Sequence, residues 1–267
     1  MASSSDAAKG QRGFIPPQND SERFLMRRVE ELCRTAENRG IARSTGFLSD
    51  REQALAAAAM NRAQCGCGRF WGGWPGAERR VLCLEPPGAW APEPVAALRI
   101  AAKGEPLPGH RDLLGAMLGL GIERVCVGDI LPDAQDPAVF YAFVLEEKAD
   151  FLAAELTQAG RAAVCAARCA AVPEHVLAAP QRALREATVP SLRADAVLGA
   201  MMNTSRALAA QAIAAGKVEV NHLPLRTAHE PVYEGDLFTV RGQGRWRLQA
   251  VGGKSRKDRI FITFFQY

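Results

Sequence analysis

Along residues 21–39 the apolar side chains Phe24, Leu25, Val29, Leu32 and Cys33 recur at helical spacing and Gly40 ends the run, which predicts an amphipathic helix. Ser49 followed three residues later by Glu52 is a capping-box pattern ahead of an alanine-rich run through Met60 and Arg62, which predicts a second helix. The stretch CGCGRFWGGWPG, residues 65–76, is dense in glycine and aromatics and reads as a tight irregular connection. Beyond the proline-rich residues 86–94 the period switches repeatedly. Strands are expected over 95–101, 124–130, 138–144 and 162–171, and helices over 110–120 and 148–158, an order βαββαβ that describes a split βαβ, ferredoxin-like domain. Residues 193–201 and 205–215 then read as two short helices, the second stopped by Gly216. Strands over 218–221, 237–241, 245–251 and 259–264 follow, with turns at Glu234-Gly235-Asp236 and Gly252-Gly253.

The whole is an α+β chain. It divides into a tail expected to be disordered over 1–19, a mainly helical domain over 20–90, the βαββαβ domain over 91–175, a linker over 176–190 and a last module over 191–267. With 267 residues, 48% of them hydrophobic, there is ample material for ordinary cores. No run of about 18 apolar residues occurs and the first residues are small and polar, which argues against a signal peptide or spanning helix and for a cytoplasmic protein. Seven cysteines, an odd number in a chain too large to need staples, read as reduced.

Charge changes the picture. The formal total is only +4, but from residue 180 onward 13 Lys and Arg face 7 Asp and Glu, so the last third holds a surplus of 6 and everything upstream is slightly acidic. One module therefore suits a polyanion. Within it, Leu192-Arg193-x-Asp195 opens one helix, Ser205-Arg206 opens the next, Gly216-Lys217-Val218-x-Val220-Asn221 turns into a strand, and Glu234-Gly235-Asp236 precedes another.

This ordered set, over residues 191–242, resembles the S4 (αL-type) RNA-binding domain. The resemblance implies that structured RNA is held through its phosphates at the start of the second helix. Ser205 caps that helix, Arg206 stands beside it, and Arg193 and Lys217 are expected to flank the same end. Asp195 is expected to pair with a neighbouring arginine, and Gly216 and Gly235 to serve as turn residues. Arg193, Arg206 and Lys217 read as exposed charges whose removal leaves folding nearly unchanged. S4 helices of this kind commonly carry Lys where this chain has Leu208 and Ala214, so the helix is less basic here. Arg241, Arg245, Arg247, Lys254, Arg256, Lys257 and Arg259 compensate on two strands and their loops. The expected RNA-binding set is Arg193, Thr204, Ser205, Arg206, Lys217, Asn221, Arg241, Arg245, Lys254, Arg256 and Lys257.

Upstream, FLSDREQ (47–53), GGWPGAERR (72–80), GHRDLLGAMLGLGIERVCVGDIL (109–131) and the closing VRGQGRWRL (240–248) are similar to the YlmH family of S4 proteins, over nearly the whole chain from residue 21. That resemblance implies an RRM-like middle domain and association with the large ribosomal subunit, rRNA and tRNA-containing stalled complexes in ribosome quality control. Some members are linked instead to cell division. A monomer is expected, with no membrane and no cofactor. In the middle domain Tyr141 and Phe143 share one strand face, where they either stack on bases or sit in a core; the strand lacks the basic and glycine start of an RRM signature.

Competing chemistry is thin. His110-Arg111-Asp112 opens an apolar helix and has no Asn five residues on, so it is not a kinase loop. Asp112 or His110 reads as a cap there, and Gly115, Gly119 and Gly121 as permitting close packing. Cys65-x-Cys67 and Cys165-x3-Cys169 lack paired knuckle spacing, so no metal is expected. A pseudouridine synthase is the alternative enzyme class, but its catalytic aspartate motif and large domain are absent, and no catalytic residue is assigned.

Overall fold

The computed structural model describes residues 17–178 and 183–267. They form two compact units that divide near residue 180. The tail expected over 1–19 lies outside the described residues as far as residue 16. Its last residue, Asn19, is ordered by its chemistry, because its side chain accepts from Glu22 N at 2.9 Å and caps the first helix.

The first unit begins with α1 (Asp20–Arg39), ended by Gly40 at φ 61°. After β1 (Arg43–Leu48) comes α2 (Asp50–Arg62), where the reciprocal Ser49–Glu52 capping box forms as the sequence requires. Then β2 (Gly68–Trp71) and β3 (Arg80–Leu84) complete an antiparallel sheet in the order β1-β3-β2. Val29, Leu32, Leu55, Ala59, Leu82 and Leu84 close the core between helices and sheet. The region expected to be mainly helical thus carries three strands, and residues 65–76, expected to be irregular, contain β2. A four-residue strand with no fully buried position shows no alternation to read.

Next come β4 (Val95–Ala102), α3 (His110–Gly119), one 3-10 turn (Arg124–Cys126), β5 (Val127–Pro132), β6 (Val139–Leu145), α4 (Glu146–Glu155), β7 (Gln158–Ala159), β8 (Ala162–Cys169) and α5 (Glu174–Leu177). The sheet runs β5-β6-β4-β8-β7, all antiparallel, which is the ferredoxin-like arrangement expected from the element order. The carboxylate of Asp112 accepts from Gly109 N at 2.8 Å and caps α3. The close packing expected at Gly115, Gly119 and Gly121 is not found: a side chain at any of them would meet nothing within 4 Å, and Gly121 answers a turn at φ 82°.

One face of this sheet is covered by α3 and α4 through Leu98, Ile100, Ala142, Val144, Leu113, Met117 and Leu152. The other face is largely covered too, by upstream residues and by α5. Trp74 stacks on Phe143 with ring centroids 6.5 Å apart, within a cluster that includes Phe47, Val81 and Val95. Tyr141 and Val139 pack with Val176 of α5. Gly73, at φ 89°, lets the backbone pass directly over the Phe143 ring, where any Cβ would collide. Asp129 of β5 holds the loop in place, accepting from Trp74 Nε1 at 3.2 Å, Glu78 N at 2.8 Å and Arg79 N at 3.1 Å. Among the described residues the β8 side stays open, with Arg99, Ala163, Cys165 and Ala167 exposed.

In the second unit, β9 (Arg185–Val189), α6 (Ala194–Met201), α7 (Arg206–Ala214), β10 (Val218–Val220), β11 (Leu223–Pro224), β12 (Leu237–Val240), β13 (Gly244–Lys254) and β14 (Ile260–Gln266) make a sheet ordered β11-β10-β12-β13-β14-β9. Val197, Leu198, Met201, Ala209 and Ile213 of the two helices pack with Val220, Phe238, Val240, Trp246, Leu248 and Phe264. Residues 185–189, expected to be linker, are an edge strand paired antiparallel with β14. Their polar start (Arg185, Glu186) hides the strand, because only Val189 is fully buried.

Candidate nucleic-acid interface

Most of the second unit's basic residues fall into three groups. The first surrounds the start of α7. Ser205 caps that helix, its hydroxyl accepting from Leu208 N at 3.2 Å, and Thr204 N donates to Gly199 O at 2.9 Å, seating the turn on α6. Gly199 has no side chain to push away the Thr204 carbonyl or the Arg206 backbone, either of which a Cβ would meet at 3.3 to 3.5 Å. The consequence is that Arg206 reaches Asp195 of α6, Nε to Oδ2 at 2.8 Å, while Arg193 reaches the same carboxylate from the other side at 3.1 Å. Burial alone would raise the Asp195 carboxyl, but the two guanidinium groups outweigh it and hold it below the ordinary carboxylate range. The pairing expected for Asp195 is therefore double. Both arginine side chains keep nearly half their surface in solvent, at 41% and 49%, and only part of each guanidinium's donors meets Asp195, so each retains N–H donors for a second anion.

This geometry corrects the expectation that Arg193 and Arg206 are dispensable for folding. Asp195 is only 4% exposed, and removing both partners strands its charge. Arg193→Ala with Arg206→Ala is expected to cost about 2 kcal/mol in a urea titration, less than a fully buried pair because the guanidiniums are half in water. Adding Asp195→Asn should restore most of it. The depressed carboxyl contributes stability above its unfolded pKa and loses it as pH falls through the lower folded value, so the double variant should also show a flatter acid limb.

The second group lies elsewhere than expected. Lys217 follows the C-terminal end of α7, and the nine residues of that helix separate it from Ser205 by about 13 Å. Lys217 therefore does not flank the helix start. It stands beside Arg241, whose N donates to Lys217 O at 2.9 Å. The third group is the β13–β14 hairpin, with Lys254, Arg256, Lys257 and Arg259. It is separated from Arg241 by the length of β13, 11 residues or about 35 Å along the strand.

Not all expected residues are available to a ligand. Asn221, at φ 51°, spends its amide internally: Nδ2 donates to Asp236 Oδ1 at 2.7 Å and Oδ1 accepts from Leu237 N at 2.9 Å, so it is a turn-locking residue. Arg245 lies 4.6 Å over the Tyr267 ring, Lys254 pairs with Asp258 at 2.8 Å, and Arg259 donates to Thr188. Among the described residues of the second unit, Lys217, Arg241, Arg256 and Lys257 of the groups above, together with Arg185 and Arg226, are exposed cations outside the ion pairs. Gly216 and Gly235, at φ 65° and 87°, serve as the turn residues expected. Arg247 was left out of the expected set; its Nε donates to the Tyr267 hydroxyl at 3.0 Å, beside Arg245.

Comparison with known proteins adds a family. The "Ribosome-associated protein quality control protein P2" of Bacillus subtilis is 35% identical over 248 residues, spanning 91% of this chain and 94% of that protein. The chain belongs to the YlmH family. A family model described as "Putative RNA-binding domain in YlmH" matches residues 106–171, which run from just before α3 through β8. A solved structure described as "Cell division protein ylmH from Streptococcus pneumoniae" is 20% identical, with a TM-score of 0.45, over 59% of this chain and 96% of its own. This YlmH-family chain is thus a homologue of a ribosome-associated quality-control protein and carries the family's RNA-binding domain. Two of the segments that carry the likeness, 72–80 and 109–131, meet at the Asp129 hydrogen bonds, so part of what they encode is internal packing. Among the described residues no helix is long and apolar enough to cross a membrane.

Proposed function

We propose that this protein is a non-catalytic RNA-binding factor whose second unit is an S4-type module gripping structured rRNA, with tRNA nearby, on the large ribosomal subunit during quality control. The observation that carries the reading is a spread of exposed cations outside ion pairs along one unit, Lys217, Arg241, Arg256 and Lys257 among them, together with the capped, doubly Arg-flanked start of α7. Such a spread suits a row of phosphates rather than one anion. It positions RNA by backbone and shape, as A-form helices with closely spaced phosphates allow, and carries little base information. The quality-control role named for the Bacillus subtilis relative agrees in kind.

The middle sheet is a poorer platform for stacked bases. Tyr141 and Phe143 are 4% and 2% exposed, so base stacking on them requires the Trp74 loop or α5 to leave. Sucrose-gradient sedimentation with ribosomes tests the reading. The full chain should travel with the large subunit at low salt and be released as salt rises, and its presence should leave rRNA and tRNA nucleoside profiles unchanged. Protein that stays at the top of the gradient at low salt would sink the proposal, and a new modified nucleoside would point to an enzyme.

A further inference from the structure

The first unit gathers a set of donor atoms that RNA binding does not use. Cys65 and Cys67 lie in the loop between α2 and β2, with sulfurs 3.5 Å apart. A Glu37 carboxylate oxygen stands within 4.8 Å of both sulfurs. Cys33 sits four residues before Glu37 on α1, hence on the same helix face, and its thiol abuts that of Cys65. Two thiols and a carboxylate thereby converge within 4.8 Å of one another, and the Cys33 thiol adjoins them through Cys65.

The loop is shaped to present them. Gln64 takes a left-handed φ of 55°, Cys65 N donates to Met60 O at 3.0 Å, and Cys67 O accepts from Glu85 N at 2.7 Å, so both cysteines are fixed by their backbones.

We propose that Cys65, Cys67 and Glu37, with Cys33 as fourth donor, form a binding site for a thiophilic divalent cation, Zn2+ in the first instance. Tetrahedral coordination with zinc–sulfur bonds of about 2.3 Å places sulfurs about 3.8 Å apart, close to the separation already present between Cys65 and Cys67. The donor set of three sulfurs and one oxygen selects zinc over magnesium or calcium, which take oxygen ligands. Exposure rises from Cys33, at 0%, through Cys65, at 8%, and the half-buried Cys67 to the exposed Glu37, which leaves an entry path on the carboxylate side. Burial, then contact with the Cys65 thiol, pushes Cys33 up to about 12 and Cys67 up to about 11, so these two thiols are protonated while no cation is bound. A bound cation displaces those protons into solvent. Cys165 and Cys169, the partners that sequence spacing suggests for Cys65 and Cys67, lie on β8 and at its end and take no part.

The test is Co2+ titration of the reduced, metal-free, full-length protein, read by the thiolate-to-cobalt charge-transfer band, followed by displacement with Zn2+. About one equivalent should bind and be displaced. Cys65→Ser and Cys67→Ser should each abolish stoichiometric uptake, whereas Cys165→Ser and Cys169→Ser should bind as the parent does. Glu37→Gln removes an exposed oxygen donor without touching the core, so it keeps the test valid if a cysteine variant fails to fold. It should retain the charge-transfer band but bind about tenfold more weakly or worse, a loss at least of the size seen for outer-shell partners. The proposal is overturned by absence of uptake in the reduced protein. It is equally overturned by a Glu37→Gln protein that binds like the parent, or by loss of binding in Cys169→Ser.

Discussion

Phe143→Ala is expected to lower the stability of the first unit by about 3 to 5 kcal/mol, the range for a buried phenylalanine whose cavity cannot collapse. Phe143 is 2% exposed, stacked against Trp74 and packed with Val95 and Val81, so its removal opens a void where the upstream sheet meets the ferredoxin-like sheet. The melting temperature should fall on the order of 10 °C. RNA affinity of the protein that remains folded, measured well below the transition, should be unchanged. The opposite pattern, an unaltered melting point with weakened RNA binding, would mean that this face opens and stacks bases.

Replacing Lys217, Arg241, Arg256 and Lys257 together by Gln should lower the slope of log affinity against log salt by about 3, because four phosphate neutralisations are lost at roughly 0.7 to 0.9 counterions each. The loss should be large at low salt and shrink as salt rises. Folding should be nearly untouched, since exposed charges without ion-pair partners contribute on the order of 1 kcal/mol or less. This set is cleaner than one containing Arg206 or Arg193, whose removal also strands Asp195. An unchanged slope in a folded quadruple variant would put the phosphates on other residues.

Much of the fold was legible from pattern. The capping box at Ser49 and Glu52, the cap at Ser205 and the βαββαβ order all rest on local chemistry or on periods long enough to count. What escaped were β1, β2 and β3, in the stretch expected to be mainly helical, and β9, together with the sheet contacts that bury Tyr141 and Phe143; β2 and β9 have little or no burial to alternate, and β3 is a buried run without alternation. Periodicity finds a strand face but not what covers it. At the candidate interface, residue type announced the cations. It did not reveal that Asp195 ties up two of them, that Asn221 locks a turn, or that Lys217 stands at the far end of α7 from Ser205, because each depends on three-dimensional neighbours. Cys33 with Glu37 shows the same limit. Their spacing of four is visible on a helix, but nothing in one dimension joins it to Cys65 and Cys67.

The central claim, that the second unit holds RNA by its phosphates, is tested most directly by mapping protein–RNA crosslinks on the full chain bound to the large ribosomal subunit. Crosslinked peptides should come from residues 204–217 and 241–259, and should vanish from those segments in the Lys217, Arg241, Arg256 and Lys257 variant. Crosslinks confined to residues 95–169, with the second unit silent, would contradict the account.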